Sequence, residues 1–273
     1  AFDAGISAET TAGGNINITA NAGSLIEVSG NGIEALVSNN QTGIITINAN
    51  GTINNAAGDL AQNAQPANES GIYASNTGTG AINITTTGAV TAGTGAGDFG
   101  IFAKANGGAI DVKTGPGAVT GGDDGIHAEN VNLGNIDIQA NGAVFSTVGD
   151  GIDGKTTGSG HVIVSAFSFV TGGTGDGINV ETTTGLAQVT LGAGSQVNAN
   201  GGVNGVSIDT TSGPIVVNSS ANIFAANDGI KANASAAGGT IDITQNGLMS
   251  VTGDGIEADT VDGFITIKTG AGQ

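Results

Sequence analysis

Isoleucine and valine recur at alternate positions in short runs along the whole chain, and the runs are separated by Gly, Asn and Thr. The stretch "GIHAENVNLGNIDIQANGAVFSTVGD" (125–150) holds the full plan: I-x-A, then I-x-I, then V-x-S. Successive side chains of a strand point to opposite sides, so strict alternation over so few residues predicts short strands with one buried face. No stretch carries a helical period, and the gaps between runs are too short for crossover helices.

The plan repeats. Aligned on the Gly-apolar step, the motif glycines are Gly5, Gly32, Gly71, Gly100, Gly125, Gly151, Gly177, Gly205, Gly229 and Gly255, with nine intervals averaging about 28 residues. A unit of three strands and no helix cannot cover its own apolar side chains, so it must stack on copies of itself. Coiling the chain so that equivalent strands pair in parallel satisfies the backbone and closes a dry interior. The prediction is an all-β, parallel β-helix solenoid of about ten coils with three short strands each and no helices of note. It is right-handed by the crossover preference and roughly 50 Å long at one strand spacing per coil.

The repeat region is read as one unit over 1–273, a fragment of a longer array, since it opens at a corner and stops before a third strand. The interval from Gly32 to Gly71 is 39 residues, which places an inserted loop at 56–70.

Glycine ahead of the apolar residue suits a corner where coils crowd or φ is positive, and Asp or Asn before it suits an Asx-turn. Asn31, Asp98, Asp124, Asp150, Asp176, Asp228 and Asp254 are expected to form a column up one corner. Stacked carboxylates repel, and calcium could relieve that. However, "GGTGDGINV" (172–180) misplaces the Asp of the calcium-binding nonapeptide by one position and recurs too rarely. Turn capping is therefore the reading taken, with no cofactor and no metal assigned.

Position x of G-I-x-A runs Ser7, Glu34, Tyr73, Phe102, His127, Asp153, Asn179, Ser207, Lys231, Glu257. In a chain with 3% aromatics, Tyr73, Phe102 and His127 on consecutive coils form a candidate ligand-binding surface, flanked by the ladder Lys104, Glu129, Lys155, Glu181. Cross-strand stacking is the plainer role of the three rings. His161 stands apart and is read as a surface residue.

Composition narrows the function. Five Lys, no Arg and 23 Asp plus Glu give a net charge of −18, which a nucleic-acid backbone or an anionic membrane surface would repel. The absence of Cys excludes disulfides and thiolate metal sites. No apolar run reaches the ~20 residues of a membrane helix, so no direct membrane insertion of this region is expected. Lyase chemistry on acidic sugars uses a basic group, commonly Arg. Hydrolysis uses paired carboxylates, for which Asp111 and Asp137 occupy one outward position on adjacent coils among Asn83, Ile163 and Thr190, with no basic neighbour. A solvated face is the reading taken for that pair.

The "GDGI-x-A" corners, the second strands "GNIDI" and "GTIDI", and the Cys-free Gly, Ala, Thr and Asn background together resemble the passenger region of bacterial autotransporters and related repetitive surface adhesins. The resemblance implies an extracellular, cell-surface location, anchored through a region outside this chain. It also implies a non-catalytic structural or adhesive role in aggregation or biofilm. Host or bacterial surface glycans or proteins, or self-association, are the implied partners. The rival expectations are a pectinase-like hydrolase and a self-assembling extracellular filament.

Overall fold

The computed structural model describes residues 4–55, 69–201 and 203–270. The inserted loop read at 56–70 lies almost wholly outside the described residues.

The described chain is an all-β parallel solenoid of about ten coils with no helices. Its strands fall into three sheets of ten, ten and nine, and each strand is hydrogen-bonded to the equivalent strand one coil away. Five-residue strands such as Ile126–Asn130 and Ile136–Ala140 form the first two sheets, and shorter ones such as Val144–Ser146 form the third. Register follows the hydrophobic pattern: Ile101 pairs with Ile126 and Ile126 with Ile152, so like residues stack on like. A one-residue slip would turn the isoleucines outward, and this fixes the pairing.

Ile and Ala point inward from the first sheet, Ile and Val from the second, and Val or Ile from the third. They merge into one continuous core running from Ile16 to Ile243. At the corner from first to second sheet the core turns polar. Asn76 Nδ2 donates to the Gly43 and Gly80 carbonyls, both at 2.8 Å, while its Oδ1 accepts the Gly78 N–H at 3.0 Å. Asn130 repeats the arrangement toward Gly108 O and Gly107 N–H. These amides satisfy backbone groups that the tight turn leaves without a ladder partner.

The motif glycines are required by close approach, not by handedness. No φ in the left-handed range falls on any of them; the positive-φ glycines are Gly13, Gly23, Gly97, Gly107, Gly194 and Gly238. A Cβ added to Gly125 would lie 2.4 Å from Val144 Cγ1 and 2.6 Å from the Gly151 carbonyl. In the last described coil Ile265 and Ile267 are 43% and 46% exposed, because among the described residues no strand pairs with theirs on the outer side.

Candidate functional site

Each corner residue just before a motif glycine hands its carbonyl to the glycine N–H of the preceding coil. The Asp124 carbonyl accepts Gly100 N–H, and the Asp150 carbonyl accepts Gly125 N–H. The side chains point the other way along the rod. Asp124 Oδ1 accepts the Asp150 N–H at 2.7 Å, Asp150 Oδ1 the Asp176 N–H at 2.5 Å, and Asp228 Oδ1 the Asp254 N–H at 2.7 Å. Asn31 Oδ1 does the same for the Ser70 N–H at 2.9 Å. The column thus caps the next coil, whereas the sequence suggests an Asx-turn within its own coil.

Two members of the column differ from expectation. Asn204 belongs to it, donating its N–H to Asp176 Oδ1 at 2.6 Å. Asp98 sits one residue early, and the place in the column is held by Phe99, whose carbonyl accepts Gly71 N–H. Asp98 instead accepts N–H groups from Gly95 and Glu69. The physical reason is the residue between Asp98 and Gly100, which rotates the carboxylate off the corner.

Phe99 extends the aromatic cluster. Tyr73 and Phe102 stack at 4.9 Å and 7°, and Phe102 and His127 at 5.3 Å and 3°; Phe99 lies tilted against Phe102 and His127 at 5.1 and 5.0 Å. Parallel rings one coil apart cover each other's faces, so Phe102 has no free face to offer a flat ligand. Burial, then the charge of Glu34, raises the Tyr73 hydroxyl above its ordinary range.

His127 ends this stack between two carboxylates. Its Nδ1 lies 2.9 Å from Asp124 Oδ2 and 3.0 Å from Asp153 Oδ2. Burial opposes a charged imidazolium here, but the hydrogen bonds to Asp124 and Asp153 outweigh it and push the ring's pKa up to about 10. Burial raises the Asp124 carboxyl, against the hydrogen bond from His127. Burial, followed by the charges of Asp124 and Asp153, pushes Asp150 up to about 8. The sequence places Asp153 and His127 in one column. Asp124 joins them because a corner residue adjoins position x of its own coil and of the next, the relation that also joins Phe99 to Phe102 and His127.

The remaining candidates are held along the rod axis. Lys104 pairs with Glu129 at 2.8 Å and Lys155 with Glu181 at 2.5 Å, and Lys231 adds a pair with Glu257 at 3.3 Å. A shallow groove beside Lys155, Glu181 and Asp209 is lined by threonines. Their hydroxyls are engaged between coils: Thr157 donates to Val131 O at 2.7 Å and Thr183 to Thr157 O at 2.9 Å. His161 is exposed, and its Nδ1 accepts the Leu186 N–H at 3.0 Å.

Asp111 and Asp137 are register partners on the exposed second face, but their column continues through Ile163 to Gln188. Thr190 pairs with Ser165 in the next column. Lys113 projects from the same strand and face as Asp111, a basic residue that the sequence reading passes over. Burial and then the charge of Asp111 raise the Asp137 carboxyl.

The third sheet carries a feature that periodicity alone does not reveal. Its nine strands contain a single charged residue, Glu27. On and beside this face Phe145, Phe167 and Phe169 are 37%, 46% and 47% exposed, and the ring contacts among the described residues involve none of them. Among the described residues there is no helix long and apolar enough to cross a membrane. No family model, no curated protein and no solved structure matches the chain.

Proposed function

We propose that the chain is a non-catalytic, stiff acidic segment of a secreted bacterial surface protein of the autotransporter or large-adhesin kind, which touches neutral surface glycans through its third face. The observation that carries this reading is the third sheet, with Glu27 its single charged strand residue and its phenylalanines unstacked, in a chain of net charge −18. The first and second sheets, together with the corner between the third and first sheets, carry most of the acids and repel anionic polymers. On the third face, partly exposed phenyl rings that stack on no other ring lie among Thr120, Thr171, Gln196, Asn198 and Asn222. Apolar rings beside amides and hydroxyls match the apolar faces and hydroxyl edges of an uncharged sugar chain.

Elsewhere the chemistry is directed inward along the rod. Corner carboxylates cap the next coil, Lys–Glu pairs bridge coils, and the Tyr73, Phe102 and His127 rings stack on each other. This arrangement suits a spacer that resists bending.

The test is retention of the purified chain on insoluble neutral polysaccharides such as cellulose and chitin, with polygalacturonate as the anionic control. Retention on a neutral polymer that falls at least tenfold in Phe145→Ala/Phe169→Ala is the expected result. No retention on any polymer, or retention unchanged in the double variant, removes the contact face. Release of reducing sugar by the native chain, abolished in Asp111→Asn, would replace the reading with a hydrolase built on Asp111 and Asp137. Concentration-dependent fibres in sedimentation and negative stain, without glycan retention, would replace it with a filament subunit.

A further inference from the structure

We propose that Asp124, His127 and Asp153 form a binding site for one divalent transition-metal ion of the zinc class, on the edge between the corner column and the first sheet. Three donor atoms of mixed type, one imidazole nitrogen and two carboxylate oxygens, lie within 4.8 Å of one another. Their spacing suits a metal. Donors about 2.1 Å from a zinc-class ion stand roughly 3.0 Å apart when they occupy adjacent octahedral corners and about 3.4 Å apart in a tetrahedron. Nδ1 of His127 already lies 2.9 and 3.0 Å from the two Oδ2 atoms.

The donors are aimed by groups behind them. Asp124 Oδ1 is held by the Asp150 N–H at 2.7 Å, and Asp153 Oδ1 by Asn179 Nδ2 at 2.9 Å, so in each carboxylate the second oxygen turns to His127. The imidazole is clamped flat against Phe102 and edged by Phe99. Ligands fixed by such outer contacts bind with less reorganisation. The Asp124 and Asp153 side chains are 10% and 12% exposed and that of His127 18%, which leaves an outer side where water completes the coordination shell.

Charge favours a cation. Asp124 and Asp153 flank the His127 imidazole, and Lys155, the nearby cation, is committed to Glu181 at 2.5 Å. The chemistry selects the ion: an imidazole nitrogen with two carboxylates suits zinc, cobalt or manganese, whereas calcium takes a shell of oxygens. The corner carboxylates as a group are poor calcium ligands, because one oxygen of each of Asp124, Asp150, Asp176 and Asp228 is occupied by a backbone N–H. Binding exchanges the His127 Nδ1 proton for the metal, and that proton leaves to solvent. The inference is independent of the glycan reading.

Zn²⁺ titrated calorimetrically into the chelator-stripped chain at pH 8 tests this, with Co²⁺ absorption as a direct report of nitrogen and oxygen ligation. One site per chain is expected, with proton release and a thermal melt raised by zinc. Asp153→Asn and His127→Gln, checked for unchanged circular dichroism, are each expected to weaken binding at least tenfold, and His161→Gln to leave it unchanged. Failure to bind Zn²⁺ at 1 mM overturns the site. So does equal binding by native chain, Asp153→Asn and His127→Gln, or loss of binding on changing His161 alone. If His127→Gln unfolds, Asp153→Asn decides.

Discussion

At the residue scale, the Asp–His–Asp cluster and its neighbour Asp150 link stability to pH in one direction. The His127 ring is raised from 6.5 to about 10, so its contribution is fully present below pH 6.5 and is lost as pH rises through 10. Asp150 is raised from 3.8 to about 8, so the fold favours its neutral carboxyl, and stability falls as pH rises from 3.8 through 8. Thermal melts in chelator should therefore drop by several degrees between pH 6 and pH 10. Asp150→Asn keeps an oxygen for the Asp176 N–H and removes the buried charge, so it should melt higher than the native chain at pH 9 and close to it at pH 4. A melt that rises with pH contradicts both assignments. His127 and Asp153 are legible in the sequence because the repeat aligns them in one column. Asp124's role toward them is not, because a corner residue and a strand residue meet only once the bend between them is known. The exposure of the Phe145, Phe167 and Phe169 rings is hidden from the sequence for a similar reason: it depends on what the next coil places beside each ring.

At the element scale, the corner glycine decides whether two coils can approach. In a strand or loop of compatible geometry Gly→Ala commonly stabilises by about 0.4–1 kcal/mol, through the unfolded chain. At Gly125 the new methyl would fall 2.4 Å from Val144 Cγ1 and 2.6 Å from the Gly151 carbonyl, and backbone cannot yield as a side-chain tip can. Gly125→Ala is expected to destabilise by about 2 kcal/mol or more, read from urea denaturation; a neutral result would show that the coils can separate at little cost. The element pattern was the most readable level of this chain. Alternation fixed which residues face inward, and the glycine interval fixed which strands pair, as Ile101 with Ile126 shows. The choice between positive φ and crowding at the glycines needed coordinates, since both demand the same residue. The placing of Thr190 beside Asp137 failed because Ala187, not a large apolar residue, takes the first inward position of that strand, so the column passes through Gln188 and Thr190 lies two residues further along.

At the scale of the whole molecule, each coil touches only its neighbours, so stability accumulates from coil to coil along a narrow rod. Charge then acts as a property of the entire length. The acids behind the net charge of −18 are spread over the first two sheets and the corners, and the corner column sets Asp124, Asp150 and Asp176 on successive coils, about 5 Å apart along the rod. At 10 mM salt the screening length is about 30 Å, so each of these carboxylates feels several others; at 0.3 M it falls well below 10 Å. Opposing this are the three Lys–Glu pairs at 2.8, 2.5 and 3.3 Å. They are partly exposed, and such pairs contribute about 0–1 kcal/mol each, which salt also weakens. The long-range repulsion involves far more charges than the three pairs, so its screening should dominate. At pH 9, where Asp150 too is ionised, the melting temperature is therefore expected to rise as NaCl increases from 10 to 300 mM. Replacing Lys155 with Met should leave that slope nearly unchanged, because the slope belongs to the acidic rod and not to one bridge. A melting temperature that falls with salt would place the balance with the ion pairs and would mean that the acidic columns are already neutralised, by protons at the buried corners or by bound cations.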